Sequence, residues 1–222
     1  MKKKILFPVL LSALSCCTVM TVVDGLWQPG YVIKSLVKAS LFLLIPLLCS
    51  LFNREIAFRS LFRVTKKGFC LAVGLGLAVF GVILGGYFLL SPYFDFSKIA
   101  SSLTASTGVD KSNFLFVALY ISFVNSLLEE VFFRGFVFTN LKTSCHRWFA
   151  HGFSALLFSL YHTAMMLGWF SLPLFLLVLI GLAVGGVIFN LLNEKGGTIF
   201  VSWIVHMFAN FAINTIGFLL LK

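Results

Sequence analysis

Two adjacent glutamates, Glu129 and Glu130, lie near the middle of a long apolar stretch, about 113–141, and Arg134 follows one helical turn later. A charged side chain in the hydrocarbon core of a membrane costs roughly 3 kcal/mol even on the most permissive insertion scale. These ionisable groups are therefore expected to pair with one another and to face a polar cavity. Two close carboxylates, one of them neutralised by an arginine, can also provide the general base that hydrolysis requires.

Two later apolar segments carry further polar residues: His162 lies in one, and His206 and Asn210 lie in the other. Residues four apart share a helix face, so Glu130 can pair with Arg134, and His206 can lie beside Asn210. The sequence therefore predicts one candidate site to which three helices contribute.

Depth in the membrane gives a separate argument for this grouping. At about 1.5 Å per residue, Glu129 lies roughly 20 Å from Lys142, and His162 lies roughly 22 Å from Arg147, just before its segment. By the same measure His206 lies roughly 16 Å from Lys195. All three side chains are therefore expected near the middle of the membrane.

Each of these residues also has a purely structural interpretation. A single histidine in a membrane helix is often a hydrogen-bonded packing residue, and a Glu–Arg pair one turn apart can simply hold its own helix together. Asn210, like Asn125 and Asn214, can bond neighbouring helices to each other. The second carboxylate favours chemistry, because Arg134 can neutralise only one of the two glutamates.

The composition identifies a membrane protein. The 222 residues are 60% hydrophobic and only 11% charged, with a mean hydropathy of +1.04. Average soluble domains carry about 25% charged residues. The basic residues that give the net charge of +10 lie mostly between the apolar runs. Their positions are therefore evidence about membrane topology, and they do not indicate a nucleic-acid partner. We expect an all-α fold, a polytopic membrane bundle of about seven transmembrane helices.

The site is expected between the fourth, fifth and seventh segments. Residues 1–112 form the first three transmembrane helices and carry no motif, whereas 113–222 form the candidate catalytic core. The fourth segment is too long for a simple span, so it is expected to tilt, to break or to extend into water. The predicted segments are about 5–23, 36–52, 69–90, 113–141, 148–168, 171–192 and 197–221.

Basic residues are distributed unevenly between the two ends of these segments, which predicts a cytoplasmic N-terminus. The residues expected on the cytoplasmic side are Lys2, Lys3, Lys4, Arg54, Arg59, Arg63, Lys66, Lys67, Lys142, Arg147 and Lys195. Those expected on the outer side are Lys34, Lys38, Lys98, Lys111 and Lys222.

Small residues and cysteines give weaker signals. Two glycine pairs at helix-packing spacing, Gly81 with Gly85 and Gly181 with Gly185, are expected to let helix backbones approach closely. The cysteines are odd in number and contain no C-x-x-C pair, so they are expected to be buried free thiols. They are Cys16, Cys17, Cys49, Cys70 and Cys145.

Three short motifs together resemble one family of membrane proteins. The run Glu129-Glu130-Val131-Phe132-Phe133-Arg134 is similar to the E-E-x-x-x-R motif of the CAAX protease and bacteriocin-processing (CPBP, Abi) family of intramembrane endopeptidases. The runs 158–162 and 206–210 resemble its F-x-x-x-H and H-x-x-x-N motifs. Their order and spacing also fit, and the resemblance covers about 113–215.

The resemblance implies a helical membrane hydrolase that cleaves a peptide bond near the membrane-associated end of its substrate. Such a substrate is a membrane-associated peptide or a lipid-modified protein. Which glutamate is the base does not follow from spacing. The implied roles are water activation by Glu129 with His162 beside it, support by Glu130 held with Arg134, and oxyanion stabilisation by His206 and Asn210.

Metal dependence stays open at this point. Glu129, His162 and His206 form a ligand set that could hold zinc with a fourth position for water. The family is described both as metal-dependent and as a glutamate protease. Because the sequence has no local H-x-x-x-H pair, we expect a glutamate mechanism without metal.

Two other functions remain as alternatives. A non-catalytic membrane scaffold or a bacteriocin self-immunity protein could use the same polar cluster for packing or for binding a partner. A proton-coupled transporter is disfavoured, because no inverted repeat is visible and the ionisable residues occupy one half of the chain. The short chain and its lysine-rich start favour a bacterial plasma membrane and a role in peptide maturation or bacteriocin immunity. Substrate and oligomeric state do not follow from the sequence.

Overall fold

The computed structural model describes residues 3–56 and 62–221. These residues form helices and turns, and no β-strand occurs among them. The helices are α1 (Lys4–Trp27), α2 (Tyr31–Phe52), α3 (Lys66–Leu90), α4 (Ser97–Thr107), α5 (Phe114–Ser144), α6 (Arg147–Tyr161), α7 (Leu172–Gly196) and α8 (Phe200–Leu220).

Six of the helices, all except α4 and α6, are long and apolar enough to cross a membrane. They match six of the seven predicted segments, and the all-α polytopic fold is confirmed. The fifth predicted segment is the 15-residue helix α6, which is shorter than a full span. Turns replace the helix from His162 onward, and Gly168 takes a left-handed conformation with φ of 82° that ordinary residues rarely adopt.

The over-long fourth segment is continuous as α5, but it contains two stretches of π-helix. Turns of π-helix, which take an extra residue per turn, occupy Ile121–Asn125 and Glu130–Phe138. Two more π-turns lie at Val23–Trp27 in α1 and Ser40–Leu44 in α2. Such turns are rare in proteins as a whole, but those that occur are often found at functional sites.

A polar turn ends the connection between α4 and α5. The backbone N–H of Ser112 donates to Asp110 Oδ1 at 2.8 Å, and that of Asn113 donates to the same oxygen at 3.3 Å. Hydrogen bonds from the Ser112 hydroxyl and backbone hold the pKa of Asp110 below its ordinary value. The turn thus satisfies backbone donors at the start of the helix that carries the glutamates.

The connections rich in basic residues lie together at one end of the bundle. Asn53 after α2 donates to the Lys4 carbonyl at 2.8 Å, and Arg63 before α3 donates its backbone N–H to Thr198 before α8 at 3.0 Å. At the same end, Lys142 and Arg147 both pair with a glutamate near the end of α7. Lys2, Arg59 and Lys222 of the predicted topology lie outside the described residues.

Two lysines that were expected on the outer side instead lie inside the bundle. Lys34 is buried and pairs with Asp24 at 2.9 Å, between α2 and the end of α1. Lys38, one turn further along α2, is also buried and contacts Glu129 of α5. Counting charges between apolar runs could not show this, because both lysines lie on the inner face of an apolar helix.

The core of the bundle surrounds the second π-turn of α5. All nine residues of Glu130–Phe138 are buried. Phe42 of α2 stacks on Phe132 with ring centroids 4.1 Å apart, and Phe158 of α6 lies edge-on to Phe133 at 5.3 Å. This aromatic core fixes α2, α5 and α6 against one another.

Close helix contacts occur at other glycines than those expected. A Cβ at Gly81, Gly85, Gly181 or Gly185 would meet no atom within 4 Å in the described chain, so the expected backbone approach is wrong there. At Gly186 of α7, by contrast, a Cβ would lie 3.0 Å from the Cα and Cβ of Ala155 in α6. The spacing of glycines does not reveal which helix face is packed.

The cysteines are free thiols, as expected. Cys16 and Cys17 are buried, Cys49 and Cys145 are partly buried, and Cys70 is exposed on the surface of α3. Burial is therefore confirmed only for the first two.

Candidate functional site

The two glutamates lie where the winding of α5 changes. Glu129 ends a short α-helical stretch, Ser126–Glu129, and Glu130 begins the second π-turn. Both carboxylates are buried; Lys38 contacts Glu129, Arg134 contacts Glu130, and His206 contacts both glutamates. With Arg134, His162 and His206 they form one cluster, which contains five of the six predicted site residues.

Glu130 joins α5 to α8 through a charged three-residue network. Its Oε1 lies 3.2 Å from Arg134 Nη1 and 3.0 Å from His206 Nδ1. Because a carboxylate only accepts, the Nδ1 of His206 carries the proton in this contact. His206 Nε2 is thereby left to face Glu129 Oε2, at 3.5 Å.

Arg134 is completely enclosed, with an exposed side-chain fraction of 0%. Its guanidinium carbon lies 4.2 Å from the ring centroid of Phe158 and 5.0 Å from that of Phe189. A planar cation is favourable against aromatic faces, and its charge is balanced by Glu130. Arg134 is therefore a buried clamp, as its spacing from Glu130 predicted.

Glu129 has contacts on both sides of its carboxylate. His162 Nε2 lies 3.8 Å from Oε1 and His206 Nε2 lies 3.5 Å from Oε2. The same Oε1 contacts the ammonium of Lys38 and accepts a hydrogen bond from Asn125 Nδ2 at 3.1 Å. One carboxylate thus contacts groups from α2, α5, α6 and α8.

His162 lies where α6 ends, as the residue that caps its C-terminus. Its Nδ1 lies 2.7 Å from the backbone carbonyl of Phe158, so Nδ1 donates and Nε2 keeps its lone pair. The Phe158 ring packs against the same imidazole with centroids 4.8 Å apart. The spacing of the F-x-x-x-H motif therefore has a direct physical reason, since one residue orients the other.

Asn210 is the predicted site residue that the structure ties elsewhere. Its Nδ2 donates to the carbonyl of Ile121 at 3.1 Å, in the first π-turn of α5. Asn214, one turn later, donates to the Ala118 carbonyl at 3.1 Å. Both asparagines bond α8 to α5, and this interhelical role is the one the alternative interpretation gave them.

Two residues of the cluster were not singled out as site residues from the sequence. Asn125, considered only as a packing residue, bonds Glu129 one helical turn away. Lys38 lies in the half of the chain that carries no motif, 91 positions before Glu129. The available signal for Lys38 was its place within an apolar run, which is costly for a cation unless it has a partner.

A zinc ion held by Glu129 and the two histidines would share the Glu129 carboxylate with Lys38. Both histidines hold Nδ1 against an acceptor and turn Nε2 to Glu129, as metal ligands also do. The ammonium of Lys38, however, contacts the same carboxylate, and a divalent cation there would face a neighbouring positive charge. Among the described residues no three His, Cys, Asp or Glu side chains are grouped to hold an ion.

Comparison with protein families gives a match that covers the segment containing all three motifs. Residues 111–212 match the model for Rce1-like type II CAAX prenyl endopeptidases. These residues, which we call the Rce1-like segment, are similar to that family. The predicted resemblance to CAAX proteases is confirmed over this segment, and the chain is a multi-pass membrane protein. No curated protein and no solved structure matches the chain.

The Rce1-like segment begins just before α5 and ends within α8. It therefore contains Glu129, Glu130, Arg134 and both histidines, but not Lys38. Three of the four charged groups in the cluster lie in the family segment, and α2 supplies the fourth.

Proposed function

We propose that the chain is an intramembrane endopeptidase that hydrolyses a peptide bond in a membrane-associated, lipid-modified substrate. The observation that carries this proposal is the buried carboxylate of Glu129, with an imidazole Nε2 within 4 Å of each of its oxygens. The similarity of the Rce1-like segment to type II CAAX prenyl endopeptidases supports the reaction class.

Glu129 is the better candidate for the general base of the two glutamates. Glu130 has an exposed fraction of 0% and is held by Arg134 and His206. Glu129 lies beside His162, whose side chain is 13% exposed and is the most accessible of the cluster's charged and imidazole groups. Water and substrate would therefore reach Glu129 from the side of His162.

In the proposed reaction, water lies between the Glu129 carboxylate and the lone pair of His162 Nε2. Glu129 takes one proton from the water, and the water oxygen forms a bond to the carbonyl carbon of the scissile peptide. The resulting tetrahedral intermediate collapses when the C–N bond breaks. The proton passes from Glu129 to the leaving amine, which regenerates the carboxylate.

His206 and Asn210 are proposed to stabilise the oxyanion of that intermediate. Glu130 holds the His206 ring through Nδ1, and Nε2 can donate to the oxyanion when it carries a proton. The Asn210 amide has a second N–H besides the one bonded to Ile121. Donors that are fixed before the reaction cost no reorganisation when the negative charge develops.

The substrate is proposed to be a short C-terminal or peptide segment carried to the membrane by a lipid group. Prenylated CAAX sequences are the class that the family name indicates. For a bacterial chain, we propose maturation of membrane-associated peptides or bacteriocin immunity as the cellular role. In both cases the lipid holds the scissile bond in the membrane near the cluster.

A proteoliposome assay tests the proposal directly. The purified chain is reconstituted in vesicles with a quenched farnesylated CAAX peptide, and cleavage is followed by fluorescence and mass spectrometry. Wild type is expected to cleave, and Glu129→Gln is expected to lose about 10²–10⁴-fold in rate. Asp24→Asn is the matched control, because Asp24 is also a buried, lysine-paired carboxylate.

The main alternative is a non-catalytic scaffold or immunity protein. It is supported by the complete pairing of charges, since the two carboxylates are balanced by Lys38 and Arg134. Such a network could hold the bundle together without chemistry. If Glu129→Gln keeps full peptide cleavage or full immunity at normal membrane levels, the peptidase proposal is wrong.

A further inference from the structure

The side chain of Lys38 completes the cluster from outside the Rce1-like segment. It is only 7% exposed and lies in α2, a helix that the family match does not include. Its ammonium contacts Glu129 Oε1 and Asn125 Oδ1. Asn125 in turn donates to the same Glu129 oxygen, so three groups meet at one side of the carboxylate.

Aromatic rings enclose the remaining side of the ammonium. Lys38 Nζ lies 5.0 Å from the ring centroid of Tyr161 and 5.6 Å from that of Phe42. Both distances are within the range of a favourable cation–π interaction. The ammonium of Lys38 is therefore fixed by a carboxylate, an amide oxygen and two aromatic rings, and it forms part of the cluster.

Packing between α2 and α5 sets the position of Lys38 along the cluster. Phe42, one turn after Lys38, is fully buried and stacks on Phe132 with an interplanar angle of 7°. Each of these rings lies in a π-turn, Ser40–Leu44 in α2 and Glu130–Phe138 in α5. Sliding α2 by one residue would break this stack and separate Lys38 from Glu129.

We propose that Lys38 is a positioning residue for peptide hydrolysis. Its ammonium fixes one oxygen of the Glu129 carboxylate and balances its charge, while the other oxygen faces His206. The base is thereby held in one orientation beside His162 before substrate arrives. This inference rests on the proposed peptidase function, and it makes α2 a necessary part of the site.

Cleavage kinetics test this role in the proteoliposome assay. Lys38→Met keeps the length of the side chain but removes the charge, and it is expected to lower kcat about 10²-fold with KM nearly unchanged. Lys38→Arg keeps the charge and is expected to restore part of kcat. Lys34→Met is the matched control, because Lys34 is a buried, carboxylate-paired lysine one turn earlier on the same helix.

Thermal unfolding in detergent tests the pairing without any activity measurement. Lys38→Met leaves Glu129 buried without a cation, so its Tm is expected to fall by about 5–15 °C. The double variant Lys38→Met/Glu129→Gln removes both charges and is expected to recover most of that loss. Such a recovery would show that Lys38→Met loses stability because the ion pair is lost, and not because the protein misfolds.

The outcomes separate this inference from the function on which it rests. Wild-type protein that cleaves no peptide overturns the function and the positioning role together, whatever the Tm values. Cleavage by wild type and by Lys38→Met at equal kcat leaves the function standing and overturns the role of Lys38. Additive Tm losses in the double variant contradict the charge pairing itself.

Discussion

His206 contacts both glutamates, with Nδ1 3.0 Å from Glu130 Oε1 and Nε2 3.5 Å from Glu129 Oε2. The imidazole therefore links the clamped carboxylate to the carboxylate that we propose as the base. Phe189 stacks on its ring with centroids 5.0 Å apart and fixes its plane. The His206 side chain of α8 thus connects the two glutamates.

The first prediction concerns this link. His206→Gln removes the imidazole that faces Glu129 and that we propose as a donor to the oxyanion, so we expect kcat to fall about 10²–10⁴-fold. Glu130 keeps its Arg134 partner, and the fold should remain intact. Peptide cleavage in proteoliposomes and a thermal scan in detergent measure the two effects separately.

His151→Gln is the matched control for this change. His151 is also buried, but it pairs with Glu194 at 3.2 Å, away from the cluster. We expect cleavage by this variant to stay within a few-fold of wild type. Equal losses of kcat in the two variants would contradict a specific role for His206.

The second prediction concerns the stability provided by the Arg134 clamp. Arg134→Met leaves Glu130 as a buried carboxylate without its cation, which typically costs about 3–5 kcal/mol. Arg147→Met is the comparison, because Arg147 is about half exposed and its partner Glu194 keeps Lys142 as a second cation. Exposed pairs contribute about 0–1 kcal/mol.

Chemical or thermal unfolding in a mild detergent measures both arginine variants. Adding Glu130→Gln to Arg134→Met should recover part of the loss, since it removes the uncompensated charge. A loss for Arg134→Met no larger than that for Arg147→Met would show that the clamp adds nothing to stability.

The sequence was sufficient to predict the membrane class and most of the cluster, namely Glu129, Glu130, Arg134, His162 and His206, but it did not single out Asn125 of α5 as a site residue. Hydrophobic runs mark spanning helices because every residue in hydrocarbon must be apolar or paired. The cost of burying Glu129 and Glu130 then pointed to partners at similar depth, and His162 and His206 do contact them.

Lys38 could not be predicted in the same way. Its partner is 91 residues away, and the contact depends on how α2 docks against α5. That docking follows from the π-turns and the stacking of Phe42 on Phe132, neither of which has a hydropathy signal. The end of α6 at Tyr161 was also missed, because the apolar residues continue past it through turns to Gly168.

The third prediction concerns packing between α6 and α7. A methyl group at Gly186 would lie 3.0 Å from the backbone of Ala155, so Gly186→Ala forces the two helices apart. Gly185, the adjacent glycine, has open space and serves as the control. We expect Gly186→Ala to be less stable than Gly185→Ala by about 1–3 kcal/mol in detergent.

This change should also reduce cleavage, because α6 carries His162 and Phe158 into the cluster. The helix propensity gained by replacing glycine is the same in both variants, about 1 kcal/mol, so their difference reports packing alone. Equal stability of the two variants would mean that α6 and α7 can separate freely at this point.

The fourth prediction is that cleavage does not require a metal ion. Lys38 already places a positive charge at Glu129, and a zinc ion at the same carboxylate would be repelled by it. We therefore expect protein treated with a strong chelator and then dialysed to retain wild-type kcat, and added zinc to leave it unchanged. Elemental analysis of the purified, active protein should find zinc well below one ion per chain. Stoichiometric zinc, with activity lost on chelation and restored by zinc alone, would overturn the glutamate mechanism and make Glu129, His162 and His206 metal ligands, with Lys38 displaced from the carboxylate.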